Sequence, residues 1–507
     1  MNHLFHRLKR PVRVSLVLFT LIAAVMTASA EPAAWQAMPV NARVQTDAST
    51  TPAQSAASDD ALSSPAISPV TLSAALLKTE TIAVSLESTL KAVEGQNLAI
   101  QIQREGQRID QARFYQSLTQ FLPDIDGFYN YRRFKGVIQL FGNQTLNISQ
   151  TTLEPGLSAS VRVWPGGKTL FDAMAARRRV NASGSLVKET HQQQLARAAS
   201  DYYTLLEAQL KRDFAQKSLE ESKEQTAISQ ARFEAGLGTR LEVMQAQTAQ
   251  SQRLRQLIEA NNAIALAEQA LLNRLNMDMD AHLVPTMTDA IAHRLVPESI
   301  SPERLIENAL KSHPALARLR QQRLAVKWQG RSVLSEAIPS VDLYANLSYR
   351  GPSADVLGLT RFAGFGVQTA LGDKLGLSIP TRWLEAHRIV NQLELQSQQA
   401  VRDIEAQVAS AFLDSQSAAS AIEAVREEKR AAEESYRLAV GRYKAGVGIN
   451  LDVISAESAL SDARAQLVQA VSNFNRAQTR LVEAAGLASR QSLLEGLAAD
   501  ALTPATH

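Results

Sequence analysis

The chain of 507 residues contains no cysteine. Disulfide frameworks, thiolate metal sites, thiol nucleophiles and lipidation of a mature N-terminal cysteine are therefore excluded. Glycine and proline are scarce, 23 and 17 residues, about 8% of the chain against roughly 12% in average usage. This excludes collagen-like and Gly/Pro-rich disordered chains and favours long uninterrupted elements. After residue 30 no stretch approaches 18 apolar residues. A mature chain that enters a membrane therefore does so as strands. There is no G-x-x-x-x-G-K-[ST] loop and no G-x-S-x-G elbow, so ATP hydrolysis and serine-hydrolase chemistry have no visible seat. His282 and His293 stand eleven residues apart in a loop region, which is no helical metal spacing. The reading is of a protein that is not an enzyme and carries no cofactor.

What is present begins with a leader. Arg7, Lys9, Arg10 and Arg13, without an acid among them, precede an apolar run from Val14 to Met26 and the end Thr27-Ala28-Ser29-Ala30. These are the parts of a cleavable secretory signal. Cleavage after Ala30 leaves 477 residues and takes the formal net charge from +3 to −1. A nucleic-acid partner thereby loses its electrostatic basis. The following segment, 31–79, is rich in Ala, Ser, Thr and Pro, too poor in apolar surface to offset its ordering entropy, and is expected to be flexible.

The remainder is an internal repeat. Arg232-Phe-Glu-Ala-Gly-Leu-Gly-Thr-Arg-Leu-Glu-Val-Met-Gln-Ala246 aligns without a gap, at an offset of 210, with Arg442-Tyr-Lys-Ala-Gly-Val-Gly-Ile-Asn-Leu-Asp-Val-Ile-Ser-Ala456. At an offset of 216, Ser85-Leu-Glu aligns with Ser301-Pro-Glu, and Leu122-Pro-Asp-Ile-Asp with Ile338-Pro-Ser-Val-Asp. The halves are 80–297 and 298–490, with a tail over 491–507. Each reads as helix, two strands, a long helix and a shorter return helix. In the first half, strands are expected over 122–134 and 153–164 and helices over 167–235 and 239–276. In the second, helices are expected over 301–337, strands over 340–350 and 371–380, and helices over 381–445 and 449–485. Loops near 135–152 and 351–370 would join the strands.

Two patterns carry this reading. Val341, Leu343, Ala345, Leu347 and Tyr349 alternate with Asp342, Tyr344, Asn346, Ser348 and Arg350, the period of two that marks a strand with one apolar face. Ten such residues match a tilted membrane-spanning strand, although a half-buried hairpin on a soluble core produces the same alternation. Windows 121–171 and 338–383 hold 13 of the 27 aromatic residues where even spread predicts about five, as expected of interfacial girdles. The 69 residues from Gly167 to Ala235 contain one interior glycine and no proline, and a helix of that length spans about 100 Å. Gly236/Gly238 and Gly446/Gly448 then mark tight turns at the ends of two hairpins that point the same way. Four strands cannot close a barrel, and an open edge in lipid leaves backbone groups unpaired, so the barrel must be shared between chains.

On the two R-[FY]-x-A-G-x-G-x-x-L-[DE]-V motifs, the paired strand entries and the leader, the chain resembles the TolC family of outer-membrane efflux and export channels over about 80–490. The resemblance implies a mostly α fold with a small membrane β part. Very long helical hairpins would form a periplasmic α-barrel of coiled-coil type, and four strands per chain would join a trimeric twelve-stranded β-barrel in outer-membrane lipid. It implies a homotrimer serving a periplasmic adaptor protein and an inner-membrane transporter of RND, ABC or MFS type, in efflux or type I secretion. It places adaptor contact at the tips, here Arg232, Ala235, Gly236, Leu237, Gly238 and Thr239, and Arg442, Ala445, Gly446, Val447, Gly448 and Ile449. It places the periplasmic entrance at Tyr443, Asp452 and Ser455, with Glu242 matching Asp452 in the first repeat. Some members carry a second acid where Ser455 stands, and an arginine where Gly448 stands. Trp164-Pro165-Gly166-Gly167 keeps the family's proline and glycines after the second strand, whereas Pro380-Thr381-Arg382 keeps the proline alone. For Asp452 the residues leave a second reading open, an acid favoured at a helix N-terminus by the macrodipole. Phe233 and Tyr443 are open to plain inter-helix packing. For the whole chain the alternative to a duct is a periplasmic coiled-coil scaffold without transport.

Overall fold

The computed structural model describes residues 81–139, 145–368 and 377–497. The leader and the whole Ala/Ser/Pro-rich segment, 31–79, lie outside the described residues, as do 498–507.

The element order shows the repeat directly. The first half runs β1 (Thr81–Val84), α1 (Leu86–Gln96), α2 (Leu98–Thr119), β2 (Asp124–Gln139), β3 (Thr145–Trp164), α3 (Lys168–Glu234) and α4 (Arg240–Leu275). β4 (His282–Pro285) follows, still within the first half, and the second runs α5 (Pro302–Ser312), α6 (Pro314–Ser335), β5 (Ser340–Arg350), β6 (Gly358–Gln368), α7 (Ser378–Lys444) and α8 (Asn450–Ala484). A short helix, α9 (Arg490–Glu495), follows. It occupies part of the segment expected to be a tail, and its Leu493 is buried in the main core. The short strands β1, which opens the first half, and β4, which follows its return helix, pair in parallel and tie the two ends of that half together.

Helices α3 and α7 each have 67 residues, about 100 Å at 1.5 Å per residue. Small side chains allow close helix approach: Ala173, Ala175, Ala176, Ala182, Ala196, Ala198 and Ala199 are all buried along α3. Towards the strands, α2 and α6 lie against α3 and α7; towards the tips, α4 and α8 replace them. The main core sits where these sets meet. There Leu195–Ala208 of α3, Leu271–Leu275 of α4, Ile404–Ala411 of α7 and Leu481–Ala485 of α8 gather around β4, α5 and α9. The helices expected over 301–337 are α5 and α6, divided at His313-Pro314. His313 ends α5 and caps α6, and Pro314 takes the first position of α6, where its missing N–H costs nothing.

The sheet has the order β2-β3-β5-β6 and is antiparallel throughout. On one face lie Ile125, Tyr129 and Tyr131 of β2, Leu153, Leu157, Ala159 and Val161 of β3, Leu343, Ala345, Leu347 and Tyr349 of β5, and Ala363, Phe365 and Val367 of β6. On the other lie Asp124, Asp126 and Asn130, Glu154, Ser158 and Ser160, Asp342, Asn346 and Ser348, with Phe128, Tyr344 and Phe362 among them, while Arg361 is the charged exception on the first face. A sheet with one apolar and one polar face, and no described helix long and apolar enough to cross a membrane, is the pattern of strands between lipid and a wet lumen. Salt bridges hold the polar face across strands: Arg162 to Asp342 at 2.8 Å and Arg350 to Glu154 at 2.7 Å. Gly156 is required there, because a Cβ would lie 2.6 Å from the Phe128 ring and 2.7 Å from the Ser348 Cβ.

The strands depart from expectation in two places. The segment 135–152, expected as a loop, is mostly strand: β2 and β3 run 16 and 20 residues and stay paired as far as Gln139 opposite Thr145. Alternation continues through Phe134, Gly136 and Ile138 and no proline interrupts the ladder there. The last strand, expected at 371–380, instead lies at Gly358–Gln368, with the turn from β5 closed by residues 351–357. Residues 369–376 lie outside the described residues, and Ser378 already begins α7. Pro380 sits in the first turn of that helix, where no intrahelical N–H is needed, so it does not mark a boundary.

Candidate functional site

At the far end of each long helix the chain reverses in the same way. At the first tip, Ala235 ends α3 and Gly236 takes φ +73°. Gly236 N–H donates to Phe233 O at 3.0 Å, and Leu237 N–H to Arg232 O at 2.8 Å. At the second, Gly446 takes φ +77°, Gly446 N–H donates to Tyr443 O at 3.0 Å, and Val447 N–H to Arg442 O at 3.1 Å. Both are Schellman ends, which need a residue at ease in the left-handed region. Gly238 and Gly448 serve differently: a Cβ would lie 3.3 Å and 3.1 Å from the Cβ atoms of Arg232 and Arg442, so they let the chain cross tightly over the helix end. Thr239 Oγ1 then accepts from the Glu242 N–H at 3.3 Å and caps α4; Ile449 has no group to do the same for α8. The turns push apolar side chains into solvent: Leu237 and Val447 are each 71% exposed, and Ile449, Leu241 and Leu451 are exposed as well.

The entrance residues divide. Asp452 and Ser455 are exposed, one helical turn apart on α8, and Asp452 has no ion-pair partner among the described residues. Tyr443 is buried within the single chain, with the Arg232 guanidinium 4.8 Å from its ring centroid. Arg232 therefore stacks on the second hairpin instead of reaching outward.

Sequence and fold comparisons give the context for this geometry. The sequence model of the outer membrane efflux protein family matches residues 91–276 and 305–487, the two repeats. The chain belongs to the outer membrane efflux protein family. It is similar to the outer membrane efflux protein BepC of Brucella suis biovar 1 (strain 1330), 23% identical over 412 residues, covering 81% of this chain and 87% of that one. It is likewise similar to the alkaline protease secretion protein AprF of Pseudomonas aeruginosa, 25% identical over 426 residues, covering 80% and 86%. The fold resembles the Campylobacter jejuni CmeC outer membrane channel, with TM-score 0.71, 16% identity and coverage of 80% and 86%. It also resembles the outer membrane protein VceC of Vibrio cholerae, with TM-score 0.68, 17% identity and coverage of 79% and 96%.

In this chain the two hairpins are joined above the tips by a polar seam that sequence reasoning did not single out. Asn450, fully buried, accepts from Gln225 Nε2 at 2.5 Å and donates to the Glu242 carbonyl at 3.1 Å. Farther from the tips, Arg253 of α4 and Glu457 of α8 form a buried pair: Nε and Nη2 donate to one carboxylate oxygen, Oε2, at 3.1 Å and 2.7 Å. Burial pushes the Glu457 carboxyl up from its ordinary range, Arg253 opposes that, and the nearby Glu221 carboxylate adds to it. Ser218 and Ser461 bond across the same seam at 3.1 Å. The sequence signal was the asymmetry of the repeat. At the offset of 210, Asn450, Glu457 and Arg253 correspond to Arg240, Gln247 and Ala463, so these polar positions belong to one half each. The chain shows no cluster of three or more His, Asp or Glu able to hold a metal among the described residues.

Proposed function

We propose that three copies of the chain close a twelve-stranded barrel in the outer membrane and form a passive exit duct that continues through the periplasm along α3, α4, α7 and α8. The observation that carries this is the sheet. It is lipid-faced on one side and polar on the other, and its outer strands β2 and β6 leave edges that lipid cannot satisfy. Pairing β6 of one copy with β2 of the next removes every edge. The exposed apolar tips, Leu237, Val447 and Ile449, are the surface for a periplasmic adaptor, through which an inner-membrane transporter supplies the energy. The relatives BepC and AprF, whose names speak of efflux and of protein secretion, support both uses of such a duct. A cleaved leader delivers the chain across the inner membrane.

Three-fold symmetry gathers three copies of Asp452 about one axis at the entrance, where like charge attracts cations. Mass measurement in mild detergent should give a trimer, and that trimer should conduct in planar bilayers. Asp452→Asn should lower cation preference in reversal potentials, with a smaller effect near 1 M salt, where the Debye length is about 3 Å. A monomeric, non-conducting mature chain would overturn the reading, leaving the scaffold.

A further inference from the structure

The β2–β3 hairpin does not end where the sheet ends. The last contact between β3 and β5 is the bridge of Leu153 to Gly351, and β5 and β6 turn back at that level. Beyond it, β2 and β3 alone stay paired, from Arg132 opposite Thr152 to Gln139 opposite Thr145. These eight pairs make a ribbon about 26 Å long on the side away from the helices.

The ribbon reverses the polarity of the sheet. The register from Asp124 opposite Ser160 to Gln139 opposite Thr145 is unbroken, so even-numbered residues keep one face and odd-numbered residues the other throughout. Within the sheet the odd face is mostly apolar, with Arg361 its charged exception, and the even face mostly polar, with Phe128, Tyr344 and Phe362 among its residues. In the ribbon the odd face carries Arg133, Lys135, Asn147, Ser149 and Thr151, with Val137 its apolar exception. The even face carries Phe134, Ile138, Leu146 and Ile148, with Phe134 lying over Gly136; Gln150 opposite Phe134 and the Arg132–Thr152 pair at the ribbon's base are its polar members. Phe134 and Leu146 are 44% and 49% exposed. The even face continues the polar, lumen-side face of the barrel, so lipid is not its natural cover. A two-stranded ribbon alone in water is marginal and needs its apolar face packed against something.

We infer that the apolar faces of three ribbons meet one another over the barrel axis and form a hydrophobic closure at the outer mouth of the duct. This rests on the trimeric-duct reading. The occupant of each face is the same face of the other two copies, because symmetry points all three at one axis. Apolar constrictions of this kind gate a pore by dewetting, so the duct conducts while the ribbons part and is shut while they meet, and the basic odd face is left towards the surroundings.

The absence of cysteine makes the test clean. In the full-length protein, Ile138→Cys places one thiol per copy on the even face and Lys135→Cys one on the odd face. Under copper–phenanthroline oxidation, Ile138→Cys should form covalent dimers, and bilayer conductance should fall and return with reductant. Lys135→Cys should give neither. A conducting Ile138→Cys trimer that does not cross-link would overturn the closure and leave the duct reading intact. Quenching of a bimane label at position 138 by a lipid-soluble nitroxide would also overturn it, showing that lipid covers the face. An unmodified chain that stays monomeric in mild detergent would remove the duct reading, and the closure with it.

Discussion

Removing Arg253 tests the seam that holds the two hairpins together. In Arg253→Met the Oε2 atom of Glu457 loses both guanidinium donors, and its other oxygen, Oε1, has no hydrogen-bond partner among the described residues. A buried carboxylate so stranded does not bear an unlimited cost, because it can bind a proton. From an ordinary value of 4.5, binding that proton at pH 7 costs about 3.4 kcal/mol, at 1.36 kcal/mol per unit. That bounds the electrostatic loss and agrees with the roughly 3–5 kcal/mol seen when one member of a buried pair is removed. At pH 5 the same reasoning leaves about 0.7 kcal/mol. The local opening equilibrium of the seam should therefore rise by about two decades at pH 7 and only several-fold at pH 5. Hydrogen exchange of the α8 amides around Glu457, in the detergent-solubilised full-length protein, reads this directly. Arg253→Met combined with Glu457→Leu should return exchange close to the unmodified rate, since replacing both charges leaves nothing stranded. Equal protection in Arg253→Met and the unmodified protein at pH 7, or an increase that does not shrink at pH 5, would refute the reasoning.

Gly446→Val meets no atom within 4 Å but forces a β-branched residue to φ +77°. The cost of about 1–2 kcal/mol should speed exchange across the second tip roughly 5–30-fold, while trimer yield stays unchanged with the strands about 100 Å away. His313 Nδ1 accepts the Ala315 N–H at 3.2 Å, so it must be unprotonated there, and burial lowers its pKa from 6.5 against the pull of Glu189. Its stabilisation of α6 should therefore be present above pH 6.5 and be lost as pH falls through 6.5 towards the lower folded value. His313→Asn, which keeps a cap, should flatten that pH dependence in amide exchange of the first turn. Leu157→Arg, on the apolar face of β3, should cost about 2–4 kcal/mol and reduce heat-stable assembly, whereas Ser158→Arg on the opposite face should be tolerated.

The sequence by itself determined whatever is set by period, length and local backbone chemistry. A repeat of punctuation marked by Arg232–Ala246 and Arg442–Ala456, helices too long and too free of proline to be anything else, and strands alternating on a period of two all state their structure locally. The tip glycines were legible for the same reason, because only positive φ and close approach explain them. The tertiary structure decided what depends on partners distant in the chain. Strand ends are set by cross-strand pairing, so β2 and β3 outran the loop expected at 135–152, and β6 lies where β5 offers it a ladder instead of at 371–380. The parallel pairing of β1 with β4 joins segments about 200 residues apart, each too short to declare itself. Tyr443 and Arg232 were both singled out as tip or entrance residues, yet only packing of one hairpin on the other shows that they meet. The buried Arg253–Glu457 pair was invisible for the same physical reason. A charged residue in a helical run reads as a solvated face until a second helix removes the water.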